Sequence, residues 1–176
     1  MKENLEKIDK VDGLKIGMLY DENIVKEVVH FLKDIKIPYI VLDPIIRSSS
    51  NYPLISNKGI NLIKKTLMPL STFITPNLEE AKILTSEKEV PKMLKKLYSF
   101  GSKYIIITGV NGKDDYFFDG SKIILIEGEP FKFSFHGSGC FYSSYLLCRL
   151  LLGDSPIKAA KSSKKAIERL AKNIKF

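Results

Sequence analysis

The feature that most constrains the fold is a series of short, nearly continuous apolar segments alternating with stretches of helical periodicity. The apolar segments are "LKIGMLY" (14–20), "YIVLDP" (39–44), "STFITPN" (71–77) and "YIIITGV" (104–110). None alternates apolar with polar residues, as a strand with one wet face does. Each therefore reads as a strand buried on both faces. After the first, Asp21 is suited to cap a helix whose apolar positions Ile24, Val25, Val28, Leu32 and Ile35 follow the 3.6-residue period. A second helix is expected from about Ser56, with Ile60, Ile63 and Leu67 inward; "LEEAKIL" reads as a short helix, and "EVPKMLKKLYSFG" as another stopped by Gly101. Strand–helix alternation of this kind predicts a three-layer, Rossmann-like α/β fold: a mostly parallel sheet with helices on both faces.

The C-terminal third adds a hairpin, "DDYFFDGSKIILIEG", with Asp119-Gly120 at its turn. A helix over roughly 139–152 and a terminal helix follow, the latter with Ser155 as cap and Pro156 in its first turn. No repeat, low-complexity tract or linker divides the chain, and 176 residues suffice to bury one core. A single domain over 1–176 is expected.

No segment approaches the ~18 apolar residues that span a bilayer, and "MKENLEKIDKVDG" lacks the apolar centre of a secretion signal. The expectation is a cytoplasmic protein without membrane partners. The net charge of +8 comes from lysines spread over the helices ("IKKTL", "MLKKL", "SSKKAIERLAK") with glutamates among them. Without a basic motif interleaved with aromatics, this surface does not predict nucleic-acid binding; it suits anionic small molecules. In a helix Cys140 and Cys148 would lie about 12 Å apart along the axis, too far for a disulfide. Two cysteines and two histidines in no ligand spacing argue against structural zinc.

In a parallel sheet, ligands collect where strands end, here at "LDP", "TPNLEEA" and "TGVNG". Gly137-Ser138-Gly139 precedes a helix, so backbone amides and the positive end of the helix can approach an anion; a plain tight turn is the alternative. Cys140 falls in the first turn, where those amides favour a reactive thiol, although a small apolar residue fits too. Cys148 is expected to be such a packing residue. Asn77 and Glu80, three apart at a helix start, can orient a phosphate-bound Mg²⁺ through water or form a capping box, and the two roles are compatible. Asp43 ends a buried strand as a metal or substrate ligand, or as a loop cap. His30 reads as solvated, and His136 as ordinary loop packing unless it touches ligand.

Taken in order, "LKIGML", "VLDPI", "LMPLSTFITPNLEEAKILT" and "HGSGC" resemble the hydroxymethylpyrimidine/phosphomethylpyrimidine kinases of thiamine biosynthesis, in the ribokinase-like superfamily. The likeness runs from about residue 12 to the end. It implies ATP and Mg²⁺ as cofactors and a small pyrimidine as the partner. It places Gly137, Ser138, Gly139 and Cys140 at the anion hole, with Cys140 as the catalytic thiol. Asn77, Thr108 and Gly109 fall on the nucleotide, Glu80 and Asp43 on the metal, and Met18 and Asp43 beside the substrate. "TGV" stands where the family has "KGG", "FKFSF" replaces a threonine-rich approach to the loop, and Tyr20 replaces a small residue. The family's glycine-rich N-terminal segment has no counterpart. The resemblance therefore implies an N-terminally shortened fold, with three explanations open: a truncated sequence, an acceptor side completed by a second copy or another chain, or a degenerate relative that binds without catalysing. A pyridoxal-type kinase, and a nucleotide-binding or regulatory relative without catalysis, are the alternatives.

Overall fold

The computed structural model describes residues 10–48, 50–130 and 137–173. Among the described residues six strands form one sheet in sequence order: β1 (Gly13–Ile16), β2 (Tyr39–Leu42), β3 (Phe73–Ile74), β4 (Tyr104–Val110), β5 (Asp114–Phe118) and β6 (Ile123–Ile126). The first four are parallel; β5 and β6 run antiparallel to their neighbours, as the hairpin predicts. The helices are α1 (Glu22–Asp34), α2 (Asn57–Thr66), α3 (Leu78–Thr85), α4 (Val90–Tyr98), α5 (Ser138–Leu151) and α6 (Pro156–Asn173).

The sheet separates two apolar layers, which is why its central strands lack polar alternation. Ile40, Leu42, Ile74, Ile105 and Ile107 pack with α1 to α4. Val41, Phe73, Ile106 and Phe117 point the other way, against Tyr142, Leu146 and Ala160 of α5 and α6. The three-layer expectation holds. Asp21 caps α1 by accepting from the amides of Asn23 and Ile24 at 2.8 and 2.9 Å. Ser56 caps α2, and Gly101 turns the chain out of α4 with φ +105°.

Three local expectations are corrected. β1 runs over Gly13–Ile16 and so ends well short of the predicted 14–20, because its partner β2 stops ahead of Pro44 and the chain then bends, with Tyr20 at φ +56°. The ladder closes with Asp43 N donating to Ile16 O at 2.8 Å. β3 is confined to Phe73–Ile74, since Pro76 has no amide to continue the ladder; Asn77 rejoins the sheet through a single bridge to Thr108. Cys148 is exposed rather than packed, because the period of α5 turns Leu146, Leu147 and Leu150 inward instead. Among the described residues no helix is long and apolar enough to cross a membrane.

Candidate active site

The ends of β2, β3 and β4 and the start of α5 bring the predicted residues into two adjoining groups. The first is built on α3. Asn77 Oδ1 accepts from Glu80 N at 2.9 Å, and Glu80 Oε2 accepts from Asn77 N at 3.0 Å, a reciprocal capping box. Glu80 is buried, and Ile46 N approaches its other oxygen at 3.4 Å. Burial pushes its carboxyl up to about 7, and the nearby Asp43 carboxylate adds to the rise, against the two backbone donors. The Asn77–Thr108 bridge sets β4 beside this cap, with Thr108 N donating to Pro76 O at 3.0 Å. Gly109, at φ +69°, donates its amide to Asp115 Oδ1 at 3.0 Å. Asn77, Glu80, Thr108 and Gly109 line a cavity of about 770 Å³ together with Arg47 and Ser48.

The second group lies at the start of α5. Gly137 has φ +88°, a conformation that needs glycine, and among the described residues no side chain caps the helix or occupies its first amides. A Cβ on Gly139 would stand 3.8 Å from Asp43 Oδ2, so the glycine brings no side chain against that buried carboxylate. Ser143, fully buried, lies with its hydroxyl 3.1 Å from the same oxygen and 2.9 Å from Gly139 O. Cys140 is exposed in the first turn. Lys15 of β1 reaches both: Nζ is 3.4 Å from Cys140 Sγ and 3.6 Å from Asp43 Oδ2. Desolvation pushes the Asp43 carboxyl above its ordinary range, while the Lys15 charge and the Ser143 hydroxyl oppose the rise.

Asp43 joins the groups, since its charge acts on Glu80 while its oxygen meets the α5 cluster. Both carboxyls are buried and held short of easy ionisation, an arrangement that a cation would relieve. Among the described residues no third acidic, histidine or cysteine side chain joins them into a metal-binding cluster. Two carboxylates with lone pairs to spare fit Mg²⁺, which keeps waters and phosphate oxygens in its shell. Met18, 55% exposed past the end of β1, belongs to neither group. His30 faces Asp34 on the exposed side of α1, in line with a solvated role. His136 lies outside the described residues.

Sequence reasoning missed Lys15, Ser143, Arg47 and Asp115. Lys15 did carry a signal: it is the one charged residue in the apolar run "LKIGMLY", where burial on both faces demands a partner. Ser143 and Asp115 had none, because their partners are 100 and 6 residues away in sequence.

The sequence pattern of the phosphomethylpyrimidine kinase family matches residues 2–175. The hydroxymethylpyrimidine/phosphomethylpyrimidine kinase of Aquifex aeolicus is 36% identical over 99% of this chain and 74% of its own length. The pyridoxine kinase of Bacillus subtilis is 28% identical over 89% of this chain, which spans 62% of that relative. Among solved structures, the phosphomethylpyrimidine kinase of Clostridium difficile superposes with a TM-score of 0.81 at 27% identity, over 96% of this chain and 74% of that one. The pyridoxal kinase of Staphylococcus aureus in complex with ADP gives 0.88 at 27% identity, over 98% and 67%. The α/β architecture is thus ribokinase-like, and the chain belongs to the phosphomethylpyrimidine kinase family.

Proposed function

We propose that the chain transfers the γ-phosphoryl group of ATP to hydroxymethylpyrimidine or its monophosphate. The observation that carries this reading is the position of Asp43, which touches the anion-hole cluster of α5 while acting on Glu80 of the nucleotide-side cavity. Asn77, Thr108 and Gly109, with Arg47, line the space for the nucleotide. Glu80 and Asp43 would hold Mg²⁺, which screens phosphate charge when bound. Gly137, Ser138 and Gly139 offer backbone donors to the transferring group, and Cys140 takes the proton of the acceptor hydroxyl. Relatives that bind ADP and AMP-PCP support ATP as the donor.

The test is ADP release from Mg-ATP with and without hydroxymethylpyrimidine phosphate. Pyrimidine-dependent release that disappears in Cys140→Ala supports the reading. Bound nucleotide with no release would instead support a nucleotide-binding relative of the kinase. A pyridoxal-type acceptor is the second reading, favoured by the superposition on pyridoxal kinase complexed with pyridoxal at a TM-score of 0.88; release with pyridoxal but not the pyrimidine would select it. We also infer that the chain acts in the cytoplasm and self-associates through the edge of β1, which has no strand beside it among the described residues and is flanked by exposed Met18 and Tyr20.

A further inference from the structure

Lysine is rarely placed on a strand covered on both faces unless something holds its charge. Lys15 sits on β1, and its side chain is 20% exposed while running from the sheet to the mouth of α5. There the ammonium is divided between two partners, Cys140 Sγ at 3.4 Å and Asp43 Oδ2 at 3.6 Å. An ammonium carries three donors, and the third has no partner among the described residues. Gly17 contributes to this placement, since a Cβ there would lie 2.7 Å from Lys15 Nζ.

A purely structural pairing looks different in this same protein. Lys164 closes on Asp115 at 3.1 Å with both side chains sealed from solvent, at 4 and 2% exposure. Lys15 instead stands off its carboxylate, beyond the ~2.7–2.9 Å of a charge-assisted hydrogen bond, and keeps contact with solvent. Lys15 Nζ and Gly139 approach the same buried oxygen, Asp43 Oδ2, where a Cβ on the glycine would stand 3.8 Å away.

We propose that Lys15 is a further catalytic residue, donating a hydrogen bond to a non-bridging oxygen of the phosphoryl group in transfer. The inference rests on the kinase reading. In the step, the acceptor oxygen forms a bond to the γ-phosphorus. The bond from that phosphorus to the β,γ-bridging oxygen breaks, and its electron pair leaves with ADP. The acceptor proton passes to Cys140 as its thiolate, which becomes the neutral thiol. Lys15 keeps its protons throughout and supplies positive charge where negative charge spreads over the equatorial oxygens.

The experiment pairs turnover with a probe that needs none. Lys15→Met should lower kcat about 100-fold, as loss of one such donor does, with the KM for Mg-ATP within about twofold because Asn77, Thr108 and Gly109 are untouched. Lys15→Arg should recover at least about tenfold of that loss. Independently, sulfate should protect Cys140 from iodoacetamide, read by mass spectrometry with exposed Cys148 as internal control. Lys15→Met should raise the half-protecting sulfate concentration about fivefold or more, and Lys15→Gln serves if Lys15→Met does not fold. Unchanged protection in a folded Lys15 variant, absence of sulfate protection in the wild type, or an unchanged kcat would each overturn the proposal. If sulfate protection depends on Lys15 while the wild type turns over no acceptor, the anion contact stands and the kinase reading falls.

Discussion

Glu80 should make this protein less stable as the pH rises from acid to neutral. Its carboxyl moves from the ordinary 4.5 to about 7 on folding, chiefly through burial. A folded-state value above the unfolded one means that the folded chain retains a proton the unfolded chain has lost. The stabilisation is therefore complete below about pH 4.5 and disappears as the pH passes through about 7. At 1.36 kcal/mol per pH unit the rise corresponds to about 3 kcal/mol, most of which falls between pH 5 and 8. Urea denaturation at those two pH values, on wild type and Glu80→Gln, isolates this contribution. The glutamine loses one of the two acceptors facing Asn77 N and Ile46 N, a pH-independent cost of about 1 kcal/mol. Asp43, also pushed up by burial, titrates in both proteins, so the difference in slope belongs to Glu80 and its coupling to Asp43. Wild type should lose about 2 to 3 kcal/mol more than the variant between pH 5 and 8. Parallel pH dependences would refute the account of Glu80 as a buried carboxyl awaiting a cation. Added Mg-ADP at pH 8 should restore stability to wild type and much less to Glu80→Gln.

Lys164→Met should destabilise by about 3 to 5 kcal/mol, since it strands the buried Asp115 carboxylate beneath Gly109; a melting temperature within a degree or two of wild type would refute this. Cys140→Ala should abolish acceptor-dependent turnover with Mg-ATP affinity within about twofold, because Cys140 lies outside the cavity that Asn77 and Thr108 line. Sedimentation velocity should show a dimer, and Met18→Glu with Tyr20→Glu should return it to a monomer; a wild-type monomer at micromolar concentration would remove β1 as an association edge.

Much of the architecture was legible because periodicity reports burial directly. Ile106 and Ile105 face opposite layers, and an unbroken apolar run is the only pattern that satisfies both. The caps at Asp21, Ser56 and Asn77 were equally local, each side chain meeting an amide two or three residues on. Strand ends were less legible: β1 and β3 stop where a partner or an amide runs out, which depends on the neighbouring strand.

By itself, then, the sequence determined the layers, the helix caps and the segments that gather at one end of the sheet, since each follows from residues within a turn or a strand of one another. Only the tertiary structure decided how those segments meet. Lys15, Asp43 and Cys140 come from three separate stretches, and the Lys15–Cys140 contact spans 125 residues. No local pattern encodes such a contact; parallel strands create it by delivering their ends to the same edge, where the helix α5 begins. The rise of Glu80 has the same origin, because burial and the Asp43 charge reach it only after the sheet and α3 have packed.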